Sequence, residues 1–304
     1  MRLRVGTRAS ALARAQAGTV AADLHQHGHD VELVAMRVAG DRGAPAEDKS
    51  RWVTDLDQAL LAGELDAAVH SAKDVPTALA EGLAIVCVPR RADPRDALCG
   101  VGDLESLSRG ARVGTGSLRR AAQLLALRAD LELVAVPGNV DTRLKRLGEG
   151  ACDALVLALA GLVRLGRERE AGGVIEPSAM LPAAGQGSLA IVVRVDDAAV
   201  CSAVVALDDP ASHAALRAER ALVRSLGAGC HTPVGALAQH RDGDDLRLRL
   251  RGFAGLPDGS AWVRDELSGS ADDPEALGAA VAARMLAAGA GELLREAERM
   301  SSAG

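Results

Sequence analysis

Short apolar runs of strand length alternate with longer stretches in which apolar residues recur every three or four positions, and this rhythm organises the first two thirds of the chain. Leu3–Thr7 reads as a strand, Ser10–His25 as an amphipathic helix, Val31–Val38 as a second strand and Trp52–Ala62 as a second helix. Asp66–His70 and Leu83–Val88 follow as further strands. These strands are too apolar to leave one face in water, so the pattern predicts a doubly wound α/β sheet with helices on both faces.

A second unit repeats the rhythm, with strands at Ala111–Thr115, Glu132–Val136 and Asp153–Ala160 and helices at Ser117–Leu127 and Val140–Leu147. The polar, proline-bearing segment Pro89–Asp96 reads as a crossover between the units, and Leu181–Gly187 as a second crossover, after which Ser188–Val195 can rejoin the first sheet. Two α/β lobes joined twice are expected to form a cleft, with ligands beyond the carboxyl ends of the strands. The last third differs. A helix near Ser212–Leu226 precedes two alternating, half-exposed strands at Leu246–Arg251 and Ser260–Asp265, and helices run from Pro274 to near the end. The expected division is 1–90 with 188–207, 91–187, and 208–304.

Composition narrows the chemistry. A formal net charge of −6 and aromatics at 1% argue against nucleic-acid binding, which needs a basic face and stacking platforms. The longest apolar runs fall far short of the ~20 residues of a membrane helix, and the amino terminus enters a strand pattern directly, so a cytoplasmic protein with no membrane partner is expected. Five widely spaced cysteines without a C-x-x-C pair, and histidines without ligand spacing, predict neither a disulfide framework nor a metal site.

The polar residues that stand out lie where strands end. Thr7-Arg-Ala-Ser10 can cap the first helix through Ser10 and leave Arg8 at the cleft. Gly114–Arg120 repeats the arrangement, with Thr115 and Ser117 at a helix start and Arg119 and Arg120 suited to bidentate carboxylate binding; the alternative is a capped helix with two exposed arginines. Arg143 and Arg164 follow the next two strands. His70–Pro76 ends a buried strand in Lys73 and Asp74; a carboxylate there can stabilise developing positive charge, or it can simply cap a short following helix. Cys230 sits in the glycine-rich loop Gly227–Pro233, where a thiol near cationic groups can act as a nucleophile or lie inert, whereas the other four cysteines read as small buried hydrophobes.

Taken in order, these segments resemble the porphobilinogen deaminase (hydroxymethylbilane synthase) family from end to end. The resemblance rests on Arg8-x-Ser10-x-Leu12-Ala13-x-x-Gln16, His70-Ser71-x-Lys73-Asp74-Val75-Pro76, Asp93–Asp96, Gly114-Thr115-x-Ser117–Arg120, Gly138-Asn139-Val140-x-Thr142-Arg143, Leu181-Pro182-x-x-Gly185–Gly187 and Gly229-Cys230 with Pro233. It implies two doubly wound, periplasmic-binding-protein-like lobes around a cleft plus a small α+β C-terminal domain. It further implies a transferase that deaminates and joins porphobilinogen molecules into a linear tetrapyrrole on a dipyrromethane cofactor, held by a thioether at Cys230. In that reading Asp74, Arg8 and Lys73 are catalytic. Ser10, Lys73, Asp74, Thr115, Ser117, Arg119 and Arg120 hold the cofactor, and Arg8, Arg143, Arg164 and Gln186 hold substrate. A monomer is expected.

The chain also departs from the family pattern. Glu47–Trp52 stands where a glycine-rich Gly-Gly-Lys-Gly-Leu-Phe stretch is usual, with Lys49 and Trp52 as counterparts of its Lys and Phe; Pro137 replaces an arginine and Val192 a glutamate. Two further readings therefore stand beside the enzyme: a diverged paralogue acting on another pyrrole acid, and a non-catalytic two-lobed binding protein.

Overall fold

Strand β1 (Arg2–Arg8) is parallel to β2 (Asp30–Met36) and to β3 (Ala67–Ser71), and β10 (Leu189–Arg194) lies antiparallel between β3 and β4 (Leu83–Cys87). The order of this five-stranded sheet is β2-β1-β3-β10-β4. The computed structural model describes residues 1–36, 51–229, 232–241 and 244–302. They form two compact units, Met1–Ala92 with Ser188–His213, and Asp93–Gly187 with Ala214–Gly304.

Alternation along the strands sorts the first unit's core. Leu3, Val5, Val69, Ile191 and Val193 pack against Ala17, Val20 and Leu24 of α1 (Ala11–Gln26) and Val200 and Val204 of α6 (Ala198–Val205). On the other face Ala68, Leu83 and Val192 meet Leu56, Ala59 and Leu60 of α2 (Arg51–Leu61). Helices on both faces were expected; the mixed strand direction was not. Ser188–Val195 does rejoin the first sheet, but against the grain of β3, its Ala190 opposite His70. Val192, fully buried on the α2 face, is a core residue here. Each such buried aliphatic side chain contributes about 1.5–3 kcal/mol relative to exposure.

The second unit repeats this topology without repeating the sequence. Strands β6 (Arg112–Gly114), β7 (Glu132–Val134) and β8 (Ala154–Ala158) are parallel, and β5 (Asp96–Cys99) runs antiparallel between β8 and β9 (Ala171–Ile175). The crossover expected through Asp96 therefore already becomes a strand there. Beyond α3 (Leu118–Leu127), α4 (Val140–Gly148) and α5 (Leu159–Arg164), the same unit carries an antiparallel sheet of β11 (Val234–Arg241), β12 (Asp244–Gly255) and β13 (Trp262–Ser270). Helices α7 (Pro210–Ser225), α8 (Pro274–Ala287) and α9 (Ala290–Ser302) cover one face of it through Leu222, Val281, Met285 and Leu294. Strands β9 and β11 and helices α5 and α6 are absent from the sequence expectation.

On the opposite face Leu237 and Phe253 pack with Ala122 of α3 and Leu181. Arg264 closes this contact. Its guanidinium lies 5.4 Å from the Phe253 ring centre and donates to Ala179 O at 2.6 Å. No single helix among the described residues is long and apolar enough to cross a membrane.

Candidate active site

Because β1 and β3 are parallel neighbours, their carboxyl ends deliver Arg8 and the Ser71–Asp74 segment to the same edge of the first sheet. A pocket opens there, with Arg8, Ser10, Gln16, His70, Ser71 and Asp74 among its lining residues. Ser10 caps α1, its hydroxyl accepting from Ala13 N at 3.3 Å, so it serves the helix start while facing the pocket. Gln16, 4% exposed, donates from Nε2 to Ser71 Oγ at 2.8 Å and accepts from that hydroxyl at 3.1 Å. Lys73 and Asp74 occupy a single 3-10 turn, Ala72–Asp74, and both are half-buried. No helix follows that turn for Asp74 to cap; the chain continues as loop to β4.

The sequence reading gives His70 no role of its own. It is 6% exposed, and its Nε2 has no hydrogen-bond partner. Burial pushes its imidazole down to about 4, Asp74 opposing and Arg8 assisting that shift. At neutral pH the ring is uncharged.

In the second unit, Gly114 ends β6 where a Cβ would stand 2.8 Å from Val136 and 2.9 Å from Leu155, so only glycine lets the strand pass into the turn before α3. Thr115 Oγ1 accepts from Ser117 N at 3.2 Å, and Ser117 caps α3 by accepting from Arg120 N. Arg119 and Arg120 are not the exposed pair that the sequence allowed. They are 5% and 6% exposed and turn onto Asp96, itself fully buried: Arg120 Nη2 lies 2.6 Å and Arg119 Nη1 2.9 Å from its carboxylate. Arg119 also donates to Leu181 O at 2.6 Å, and Arg120 to Val156 O at 2.8 Å. Burial opposes ionisation of Asp96, but the charges of Arg119 and Arg120 outweigh it and hold the carboxyl well below the usual carboxylate range.

Gln186 joins the same network, donating from Nε2 to Pro94 O at 2.7 Å and to Asp96 Oδ1 at 2.9 Å. It is 1% exposed, an interior residue rather than an open one. Glu219 of α7 fixes the backbone beside it, accepting from Gly185 N at 2.6 Å and Ala238 N at 2.8 Å. Arg164 Nη2 donates to Gly187 O at 2.7 Å. Arg143 stands in α4 behind Asn139, whose side chain caps that helix by accepting from Thr142 N at 2.9 Å. Its Nε is buried without a partner, and burial together with Arg120 lowers its affinity for a proton. Two arginines on one aspartate, with Arg143 close enough to feel Arg120, leave this cluster a net cation suited to a carboxylate-bearing ligand. Pro137 is exposed.

Of the cysteines, Cys87, Cys99 and Cys152 are buried and Cys201 half-buried. Burial pushes the Cys87 thiol up to about 12 and Cys99 to about 11, and raises Cys152 and Cys201 as well. Cys230, Lys49 and the 41–50 segment lie outside the described residues. Among the described residues no cluster of three or more His, Cys, Asp or Glu side chains could hold a metal ion.

Comparisons with known proteins place the chain in a family. Residues 3–202 match the family model described as porphobilinogen deaminase, dipyromethane cofactor binding domain, and residues 214–287 match porphobilinogen deaminase, C-terminal domain. The chain is similar to the porphobilinogen deaminase of Acidothermus cellulolyticus, 47% identical with 96% of this chain and 91% of the relative covered. It is similar also to that of Thermus thermophilus, 45% identical with 96% and 98% covered. Among solved structures, a periplasmic substrate-binding protein of an ABC transporter from Coxiella burnetii aligns over 69% of this chain and 94% of its own at 18% identity, with a TM-score of 0.43.

Proposed function

This chain belongs to the porphobilinogen deaminase family, a family of dipyrromethane-bearing transferases of tetrapyrrole biosynthesis, and we propose how its own residues carry out that reaction. The observation that carries the reading is the meeting of Arg8 and Asp74 in one pocket at the carboxyl edge of the first sheet, within a span that matches the cofactor-binding domain.

The residues present fit a dipyrromethane bearing carboxylates. Arg119, Arg120 and Arg143 supply positive charge, Thr115 and Ser117 supply hydroxyls, and Ser10, Lys73 and Asp74 supply polar groups in the first unit. When bound, the cofactor offers the free pyrrole carbon on which the chain of four porphobilinogen units grows. Cys230 is the proposed attachment point, since each described cysteine has its thiol held protonated by burial.

Asp74 holds the substrate through its pyrrole N–H and stabilises the cation left when ammonia departs. Arg8, Arg143 and Arg164 pair with acetate and propionate groups, and Lys73 adds a donor beside Asp74. Gln186 acts through Asp96, keeping the carboxylate that aligns Arg119 and Arg120. We place the enzyme in the cytoplasm as a monomer of three domains, 1–90 with 188–207, 91–187 and 208–304, with neither nucleic acid nor membrane as a partner.

Intact mass of the purified protein tests the reading directly. A covalent increment of one dipyrrole, with conversion of porphobilinogen to hydroxymethylbilane, is expected. Active protein at the bare polypeptide mass would overturn it.

A further inference from the structure

Two polar atoms stand unmatched on the α2-facing side of the first sheet, next to the Arg8 and Asp74 pocket. His70 Nε2 is buried and has no hydrogen-bond partner, and Ser188 Oγ, on a residue 1% exposed, is in the same condition. The ladder brings them near each other. Ala190 lies opposite His70, and Ser188, two residues earlier and on the same face, carries the carbonyl that accepts from Ala72 N at 3.0 Å. Leu56, Leu60 and Val192 pack together on that face, and Asp57, whose Oδ1 is also buried without a partner, shares the α2 stripe.

An unmatched buried polar atom is destabilising, because it has lost water and gained nothing in return. A phenyl ring or an aliphatic side chain would fill the position of His70 at less cost if packing were its only duty. His70 also lines the pocket, and it sits within electrostatic reach of both Asp74 and Arg8. An uncharged imidazole offers one donor and one acceptor. Beside Arg8, which supplies donors, the missing function is a neutral acceptor.

We infer that His70 is a ligand-contacting residue of this pocket, its imidazole accepting a hydrogen bond from an N–H of the pyrrole acid held between Arg8 and Asp74. The inference rests on the family reading and assigns a further residue to the same site. Burial and the Arg8 charge keep the lone pair unprotonated down to about pH 4, so the acceptor persists throughout the neutral range. Asp74 contributes charge to the ligand, and His70 contributes direction without adding a second anion that would compete for Arg8.

Two variants of the full chain, His70→Phe and His70→Gln, separate this role from packing. The expected result for His70→Phe is a melting temperature equal to or above that of the wild type together with a KM for porphobilinogen raised at least tenfold. His70→Gln, whose amide oxygen can accept the same bond, is expected to stay within threefold of the wild-type KM. Loss of covalent loading in a normally melting His70→Phe protein reads the same way as the raised KM. A His70→Phe enzyme with wild-type KM and kcat overturns the inference, as does loss of activity in both variants in step with lost thermal stability. Failure of the family reading is distinguishable, because the wild type itself would then lack both the dipyrrole increment and turnover.

Discussion

Arg120 straddles Asp96, with Nε at 3.1 Å and Nη2 at 2.6 Å from the same carboxylate oxygen, while its Nη1 reaches Val156 O at 2.8 Å. The guanidinium thus spans the β5 and β8 strands with a fork that lysine lacks. Removing it by Arg120→Ala leaves Asp96 ionised and buried with the charge of Arg119 and the amide of Gln186, for which a loss of about 3–5 kcal/mol is expected. Arg120→Lys should recover less than half of that. Urea unfolding with the two midpoints compared checks the claim; equal stability of wild type and Arg120→Ala would show that the pair is dispensable.

Asp74→Asn keeps the size and shape of the side chain but removes the charge opposing the cation formed as ammonia leaves. A loss of roughly 10²–10³ in kcat is expected, with the melting temperature little changed. Single-turnover measurements on protein carrying its dipyrrole isolate this step. Near-normal turnover by the folded variant would remove Asp74 from the mechanism.

Much of this site could be read along the chain because glycine turns, helix caps and strand ends are local devices. Ser10 and Ser117 are caps by residue type and position, and each takes that place in the fold. What escaped the sequence was pairing over distance. Asp96 and Arg120 are separated by 24 positions and Gln186 and Asp96 by 90, so nothing local reveals that the arginines are already engaged. Strand β10 was expected but its antiparallel direction was not, since an apolar run fully buried on both faces carries no mark of its direction, and β5 escaped altogether within the expected crossover.

Asp57 illustrates a polar group set against its helix. It shares the α2 stripe with Val53, Leu56 and Leu60, its Oδ1 is buried without a partner, and burial raises its carboxyl to about 6 from 3.8. Its proton is held more tightly in the fold than in the unfolded chain, so its contribution favours folding below about pH 4 and is lost as pH rises through 6. Asp57→Asn should therefore stabilise the protein at pH 7 by about 1–2 kcal/mol, a figure reduced for partial exposure, and the gain should vanish near pH 4. His70 acts in the opposite sense, its stabilising contribution being lost as pH falls from 6.5 towards 4. Denaturant midpoints at pH 7 and pH 4.5 test both signs; a gain for Asp57→Asn that grows in acid would refute the assignment.

The attachment of the cofactor can be settled by the cysteines themselves, because the four described thiols are disqualified by their surroundings rather than by their number. Cys87 and Cys99 are fully buried in strands, Cys152 is 3% exposed and packed among the second unit's aliphatics, and Cys201 hydrogen-bonds Arg194 O from within α6. Raised thiol pKa values leave almost no thiolate at any of them at neutral pH, and the thiolate is the attacking species. Cys230 follows Gly229, whose carbonyl accepts from the Thr232 hydroxyl at 2.6 Å, and in the sequence it stands between glycines and a proline. Cys230→Ser should yield folded protein at the bare polypeptide mass, whereas serine at position 87, 99, 152 or 201 should leave the dipyrrole increment in place. Peptide mass spectrometry of the wild type should find the adduct on the peptide containing Cys230, and an adduct on any other cysteine would mean that burial does not control which thiol reacts.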